Sequence, residues 1–215
     1  MNQFPGAAAA MLAAAAGVAV LVLISCVAYL QKVRSQLADV RGELDRALAR
    51  ITELGARDEV TGAYNRRFLM EALGNERARA ARSSSPFSVC LFDIDNFKQI
   101  NESRGAAAGD GVLKRFAELL PAELRSIDVF GRFDGGQFLL VLPATDAQGA
   151  SACAERVRRR LEASAFAELG GRRATVTVGV ATHRGEEEIS ALVARVEEAL
   201  RQGKGAGRNR VVSIG

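Results

Sequence analysis

The stretch 128-DVFGRFDGGQFLLVL-142 reads as two short strands, Asp128–Phe133 and Phe138–Leu142, folded back on one another. Asp134-Gly135-Gly136-Gln137 between them is a hairpin signal, because Asp-Gly and Gly-Gly tolerate the positive φ of a tight turn. Working outward, Phe87–Ile94 reads as a buried strand. Gly109–Leu120 reads as a helix with Val112, Leu113, Phe116, Leu119 and Leu120 on one face. Ala147–Ala163 is helical and Thr175–Ala181 is a β-branched strand. The order from Phe87 to Ala181 is β-α-β-β-α-β. That is the ferredoxin-like α+β pattern, an antiparallel sheet with helices on one face. Ile189–Gln202 adds a helix and Arg210–Ile214 a last strand.

The chain of 215 residues has room for more than this domain. Its first 31 residues carry no charge, and Ala7 to Leu30 also lack Asn, Gln and Pro. Those 24 residues make about 36 Å of helix, enough to cross a bilayer core. Lys32 and Arg34 follow at once, and no basic residue precedes the run. The asymmetry predicts a retained single-pass anchor over 1–31, with the N-terminus outside and the remainder in the cytoplasm. A cleaved signal peptide, or a lipoprotein box at Leu23-Ile24-Ser25-Cys26, would want basic residues ahead of the apolar run. Next, Val33, Leu37, Val40, Leu44, Ala47, Ile51 and Leu54 recur in alternating steps of four and three. This a/d seam amid charged residues predicts a coiled-coil helix over 32–57, joining two chains as a homodimer. The domain proper is then 58–215.

Composition excludes several classes. Cysteines at 26, 90 and 153 make neither a disulfide scaffold nor a CxxC zinc site, and Cys90 and Cys153 suit core space. The lone His183 argues against a His-rich metal centre or a Ser-His-Asp triad. The net charge of +4 comes from interspersed charges of both signs, which does not predict nucleic-acid binding.

Asp93 and Asp95 close the first strand, and alternation puts them on one face if the strand persists. A carboxylate there can hold Mg²⁺ beside phosphate oxygens, or merely cap a turn. Asp110, at the start of the Gly109–Leu120 helix, is either an N-cap or an acceptor for a base edge, with Asn101 helping.

These residues carry a resemblance. Asp58-Glu59-Val60-Thr61-Gly62-Ala63-Tyr64-Asn65-Arg66-Arg67 resembles the opening D-x-L-T-x-L-x-N-R-R of GGDEF domains, the diguanylate cyclase family. Phe92 to Asp110 resembles its F-x-D-I-D-x-F-K-x-x-N-D-x-x-G-H-x-x-G-D. Thr177–Ala181 resembles its S-x-G-V-A strand, and Ala199–Lys204 with Gly207–Val211 its closing A-L-Y-x-A-K-x-x-G-R-N-R-V. The resemblance spans essentially all of 58–215 and implies the nucleotidyl-cyclase palm. Active members condense two GTP into cyclic di-GMP, each domain of a dimer presenting one, with metal ions neutralising the phosphates. By resemblance, the Asp93 carboxylate and Ile94 carbonyl would bind metal. Asn101 and Asp110 would read guanine, and Lys98, Lys204 and Arg208 would face the triphosphate.

The signature itself departs. Against R-Y-G-G-D/E-E-F stands Arg132-Phe133-Asp134-Gly135-Gly136-Gln137-Phe138. Asp134 replaces the first glycine, Gly136 the acidic metal ligand, and Gln137 the following glutamate. A lost carboxylate ligand costs a factor on the order of a hundred or more in rate, and glutamine cannot act as a base. Ala106 and Arg201 replace the family histidine and tyrosine. A one-residue slip puts Gln137 at the metal position and restores no carboxylate. The expectation is a hairpin kept as fold and lost as catalyst.

Upstream, Arg125-Ser126-Ile127-Asp128 stands at the spacing of the family's R-x-x-D, the inhibitory site for cyclic di-GMP. Arg156 and Arg79 stand where further arginines are supplied, the latter from a neighbouring domain. Arginine suits a planar anionic ligand, although Arg-x-x-Asp alone also arises by chance. The sequence therefore predicts a membrane-anchored cyclic di-GMP receptor with an inactive catalytic site and an unidentified protein partner at the bacterial inner membrane. Mg²⁺ belongs to it only if GTP binding persists. The rivals are a residual cyclase and a GTP-binding or nucleotide-free scaffold.

Overall fold

The computed structural model describes residues 55–215 and, before them, residues 29, 31–34, 36–38 and 40–42, which are helical. The expected anchor over 1–31 falls almost wholly outside the described residues. So do the seam positions Leu44, Ala47, Ile51 and Leu54. Among the described residues no helix is long and apolar enough to cross a membrane. Leu37 and Val40, on the expected seam, are 64% and 63% exposed. The chain divides into two units after Gly55.

The second unit is a five-stranded sheet covered by helices. Helix α1 (Arg66–Ser83) starts where the Asn65 side chain accepts the Phe68 N–H, and ends at Ser84 in the left-handed region. Strand β1 (Ser88–Ile94) leads to two consecutive helices, α2 (Phe97–Arg104) and α3 (Ala106–Leu119). The hairpin β2 (Val129–Asp134) and β3 (Gln137–Leu142) follows. Helix α4 (Ala147–Ala163) is capped by the Asp146 carboxylate on the Gly149 N–H. Strand β4 (Val176–Thr182), helix α5 (Ile189–Gly205) and strand β5 (Val211–Ile214) complete the unit. The strand order is β2-β3-β1-β4-β5.

The βαββαβ core is as expected, but the sheet is mixed and not wholly antiparallel. β5 lies parallel to β4. The helices also cover both faces, not one. Every residue of β1 except Asp93 is buried. Cys90, Phe92 and Ile94 pack with α3 and α4, whereas Val89 and Leu91 pack with α1 and α5. A strand buried on both faces reads as an unbroken apolar run, so alternation cannot reveal the second layer. On the first face four phenylalanines meet, with Phe116 and Phe138 stacked at 4.4 Å and Phe130 and Phe138 at 5.4 Å. Cys90 and Cys153 are buried free thiols, as the core reading expects.

One buried acid fixes the end of the sheet nearest the hairpin. Asp95 lies past the last residue of β1 and is 6% exposed. Its Oδ1 accepts from the Thr177 hydroxyl at 2.6 Å. Its Oδ2 accepts from the Thr175 hydroxyl at 2.7 Å and the Asn209 N–H at 3.1 Å. The carboxylate thus joins β1, β4 and the Arg208-Asn209 turn. Removing it leaves two hydroxyls and an amide without their acceptor. Asp95→Ala is therefore expected to cost about 2–4 kcal/mol of stability in urea unfolding. A cost below about 1 kcal/mol would show that water replaces the carboxylate freely.

Candidate functional site

The end of β1 and the β2–β3 turn enclose a cleft of about 570 Å³. Register places Asp93 directly opposite Gln137. The Gln137 amide donates to Asp93 Oδ2 at 2.8 Å, and the Lys204 ammonium reaches the same oxygen at 2.7 Å. A glutamate at 137 would set two carboxylates face to face, an arrangement that calls for a cation between them. Glutamine supplies a donor and Lys204 a positive charge, so Asp93 is neutralised by the protein itself.

The turn is held from both sides. Gly135 has φ +46°, and the Gly136 carbonyl accepts the Ile94 N–H at 3.1 Å. Arg132 donates to the Gly135 carbonyl at 3.0 and 2.9 Å, and to both oxygens of Asp58 at 3.3 Å. At Gly136 a Cβ would stand 2.8 Å from the Phe97 ring. A side chain at this signature position would thus first have to displace the Phe97 ring.

The donor set fits magnesium poorly. Asp93 offers one carboxylate whose Oδ2 is shared by an amide and an ammonium, and the Ile94 carbonyl is a single further oxygen. Asp134 lines the cleft from the hairpin. Among the described residues no group of three or more acidic, His or Cys side chains is placed to hold a metal ion. Asp95, which the sequence leaves as either a ligand or a turn cap, is consumed by its hydrogen bonds.

The cationic relics are only partly assembled. Lys98 and Arg208 line the cleft with Lys204. Lys98 is 91% exposed and pairs loosely with Glu102 at 3.7 Å. Asn101 and Asp110 do not line it. The Asn101 amide lies against Gly109, where a Cβ would meet its Oδ1 at 1.8 Å. Asp110 is exposed and is not at a helix start, because α3 begins at Ala106 after Gly105. The separate helix α2 takes up the residues between.

Asp58, which receives Arg132, also accepts the Thr61 hydroxyl at 2.8 Å and the Thr61 N–H at 2.9 Å. Partial burial pushes its carboxyl up, but the Thr61 donors and the Arg132 guanidinium outweigh this, and the net shift is down. A depressed folded pKa contributes stability that is present above the ordinary value of about 3.9 and is lost as pH falls through the depressed value. The advantage of the native chain over Asp58→Asn is accordingly expected to hold at pH 7 and to shrink below about pH 4, read as melting temperature. A difference independent of pH would contradict it.

The Arg-x-x-Asp segment forms a second site. The Arg125 N–H donates to Asp128 Oδ2 at 2.7 Å, and the Asp128 N–H donates to the Arg125 carbonyl at 3.1 Å. This closed turn leaves Asp128 Oδ1 buried and without a partner among the described residues. Arg125 and Asp128 line a cleft of about 380 Å³. The auxiliary arginines stand elsewhere. Arg156 is held by Glu123, through a 2.9 Å ion pair and a 2.7 Å bond to its carbonyl. Arg79 lies 3.6 Å from Glu76 and lines a different cleft with Ile127 and Val129. A single domain therefore assembles Arg125 with Asp128 but not with Arg79 or Arg156. The same cleft holds Arg57 and Tyr64, which sequence reasoning did not single out. Arg57 lies 4.1 Å over the Tyr64 ring, a packing that no spacing rule signals.

Residues 55–210 match the family described as "Diguanylate cyclase, GGDEF domain". The chain is 37% identical over 177 residues to the response regulator PleD of Caulobacter vibrioides, covering 80% of this chain and 38% of PleD. It thus spans well under half of that relative. The structure is similar to the diguanylate cyclase SiaD of Pseudomonas aeruginosa, solved with its activator SiaC, at TM-score 0.71 and 33% identity over 96% of this chain and 82% of that one. It is also similar to a microbial GGDEF domain solved with cyclic di-GMP, at TM-score 0.67 and 27% identity over 76% and 99% of the two chains.

Proposed function

The chain belongs to the diguanylate cyclase GGDEF family, and from that premise we propose that it is a cyclic di-GMP receptor that does not make cyclic di-GMP. One contrast carries the reading. At the signature cleft Asp93 is neutralised by Gln137 and Lys204, and Gly136 has no side chain to offer a metal. At the Arg125–Asp128 turn, which lines a cleft, a buried carboxylate oxygen has no donor among the described residues. Guanine N–H groups are donors of the kind Asp128 Oδ1 needs, and the Arg125 guanidinium suits a phosphodiester. Arg156 is paired with Glu123, two residues before Arg125 in the chain, and Arg79 serves a second domain bound to the same ligand.

The anchor over 1–31 and the coiled coil over 32–57 belong to the same proposal. They place a homodimer on the cytoplasmic side of the bacterial inner membrane, where ligand bridging two domains changes their geometry and a surface offered to a protein partner. SiaD, solved with an activator protein, is a precedent for partner binding in this fold. Exposed Leu37 and Val40 support the helix pairing.

Calorimetric titration of the full-length chain with cyclic di-GMP, then with GTP and Mg²⁺, tests the reading. Saturable cyclic di-GMP binding with no product formed from GTP is expected. Product that disappears in Asp93→Ala would identify a residual cyclase. GTP binding without product would favour a GTP sensor using Lys98, Lys204 and Arg208. Binding of neither nucleotide would leave a scaffold.

A further inference from the structure

The segment 57–64 carries the chain into the domain and runs beside the edge strand β2. The Tyr64 carbonyl accepts the Arg132 N–H at 2.7 Å, and Arg57 and Tyr64 bridge one another across the turn. Tyr64 stacks on Phe68 with ring centres 3.9 Å apart. Arg57 lies over the Tyr64 ring at 4.1 Å and donates one N–H to the Gly62 carbonyl at 3.2 Å. The result is a layered stack, Phe68–Tyr64–Arg57, with the guanidinium outermost.

Three properties suit this guanidinium to a ligand. It is held over the Tyr64 ring and by the Gly62 carbonyl before any ligand arrives, so little rotamer freedom remains to be lost. Its charge is unspent: among the described residues its contacts are the ring and one neutral carbonyl. Arg79, Arg132 and Arg156 by contrast each face a carboxylate. Finally, it lines the same cleft as Arg125 and Asp128, whose buried Oδ1 has no partner among the described residues, together with Ala63, Leu124 and Phe130. At about 380 Å³ the cleft lies at the small end of ligand pockets and seats part of a nucleotide.

We infer that Arg57 is a ligand-contacting residue of the Arg125–Asp128 cleft, taking the phosphodiester of a guanine nucleotide on its free edge, so that binding clamps the 57–64 segment. The inference rests on the receptor reading above and adds a route out of the site. Ligand held between Arg57 and Arg125 ties the entry segment to the turn before β2, and through that segment reaches the chain preceding the domain.

The test is calorimetric titration of cyclic di-GMP into the full-length chain and its Arg57→Ala, Arg57→Lys and Arg125→Ala variants. Hydrogen exchange of amides 57–64 is followed with and without ligand. Arg57 is exposed, so these variants are expected to fold. Arg57→Ala is expected to weaken binding about tenfold or more, and Arg57→Lys to recover part of the loss, since it keeps the charge without the planar fork. Ligand slows exchange over 57–64 in the native chain and not in Arg57→Ala. Affinity within about twofold of native in Arg57→Ala, with Arg125→Ala still defective, overturns the inference and leaves the receptor reading standing. No binding by the native chain overturns both.

Discussion

Arg125→Ala is expected to weaken cyclic di-GMP binding about a hundredfold or more in the full-length chain. Charge-assisted hydrogen bonds are worth roughly 1.5–3 kcal/mol each, and every 1.4 kcal/mol is tenfold in affinity. A guanidinium making two such bonds to one ligand therefore carries about 3 kcal/mol or more. The loss cannot be blamed on unfolding. Arg125 closes its turn through its backbone N–H and carbonyl, both of which alanine retains. The unliganded melting temperature should be unchanged, while the stabilisation that ligand confers on the native chain disappears. An Arg125→Ala chain that binds as tightly as the native one would remove the basis of the receptor reading.

Repair of the signature is the second large effect, and it is expected to fail. Gly136→Glu puts a Cβ within 2.8 Å of the Phe97 ring. Overpacking of this kind costs about 1–3 kcal/mol, or roughly 3–10 °C of melting temperature in a domain of this size. Adding Gln137→Glu replaces the donor that faces Asp93 with a second carboxylate, so that in the metal-free chain only Lys204 balances the pair. The doubly substituted chain is expected to be less stable than the native chain and to form no cyclic di-GMP from GTP and Mg²⁺, as followed by chromatography. Product at a steady rate, with no fall in melting temperature, would show that Phe97 is no barrier and that the signature alone is missing.

Much of the fold was legible because its signals are local. Ala147–Ala163 is bounded by an Asp cap and a continuous amphipathic pattern, and its limits are those of α4. The hairpin followed from Asp-Gly-Gly between apolar runs. Helix α1 was not singled out: it buries only Leu69, Leu73 and Glu76, so its periodicity is diluted by charge. Helix α2 buries nothing and leaves no pattern. The second helical layer was invisible because β1 is apolar on both faces.

The site was legible unevenly for the same reason. Asp93, Gln137 and Lys204 come together because strand register and a motif fix them. Asp95 carries the same side chain two residues on and does a different job, because the strand ends before it and three donors enclose it. Arg79 and Arg156 have the right residue type but spend their charge on Glu76 and Glu123. Arg57 has no such partner among the described residues and stacks on Tyr64, a tertiary fact with no spacing rule behind it.

The central claim is that this domain binds cyclic di-GMP at the Arg125–Asp128 turn with no help from a metal at the signature cleft. Titration of cyclic di-GMP into the full-length chain in the presence of EDTA tests it most directly. The account predicts saturable binding of the same affinity as with Mg²⁺ present. Binding that vanishes with EDTA, or no binding in either buffer, would contradict it.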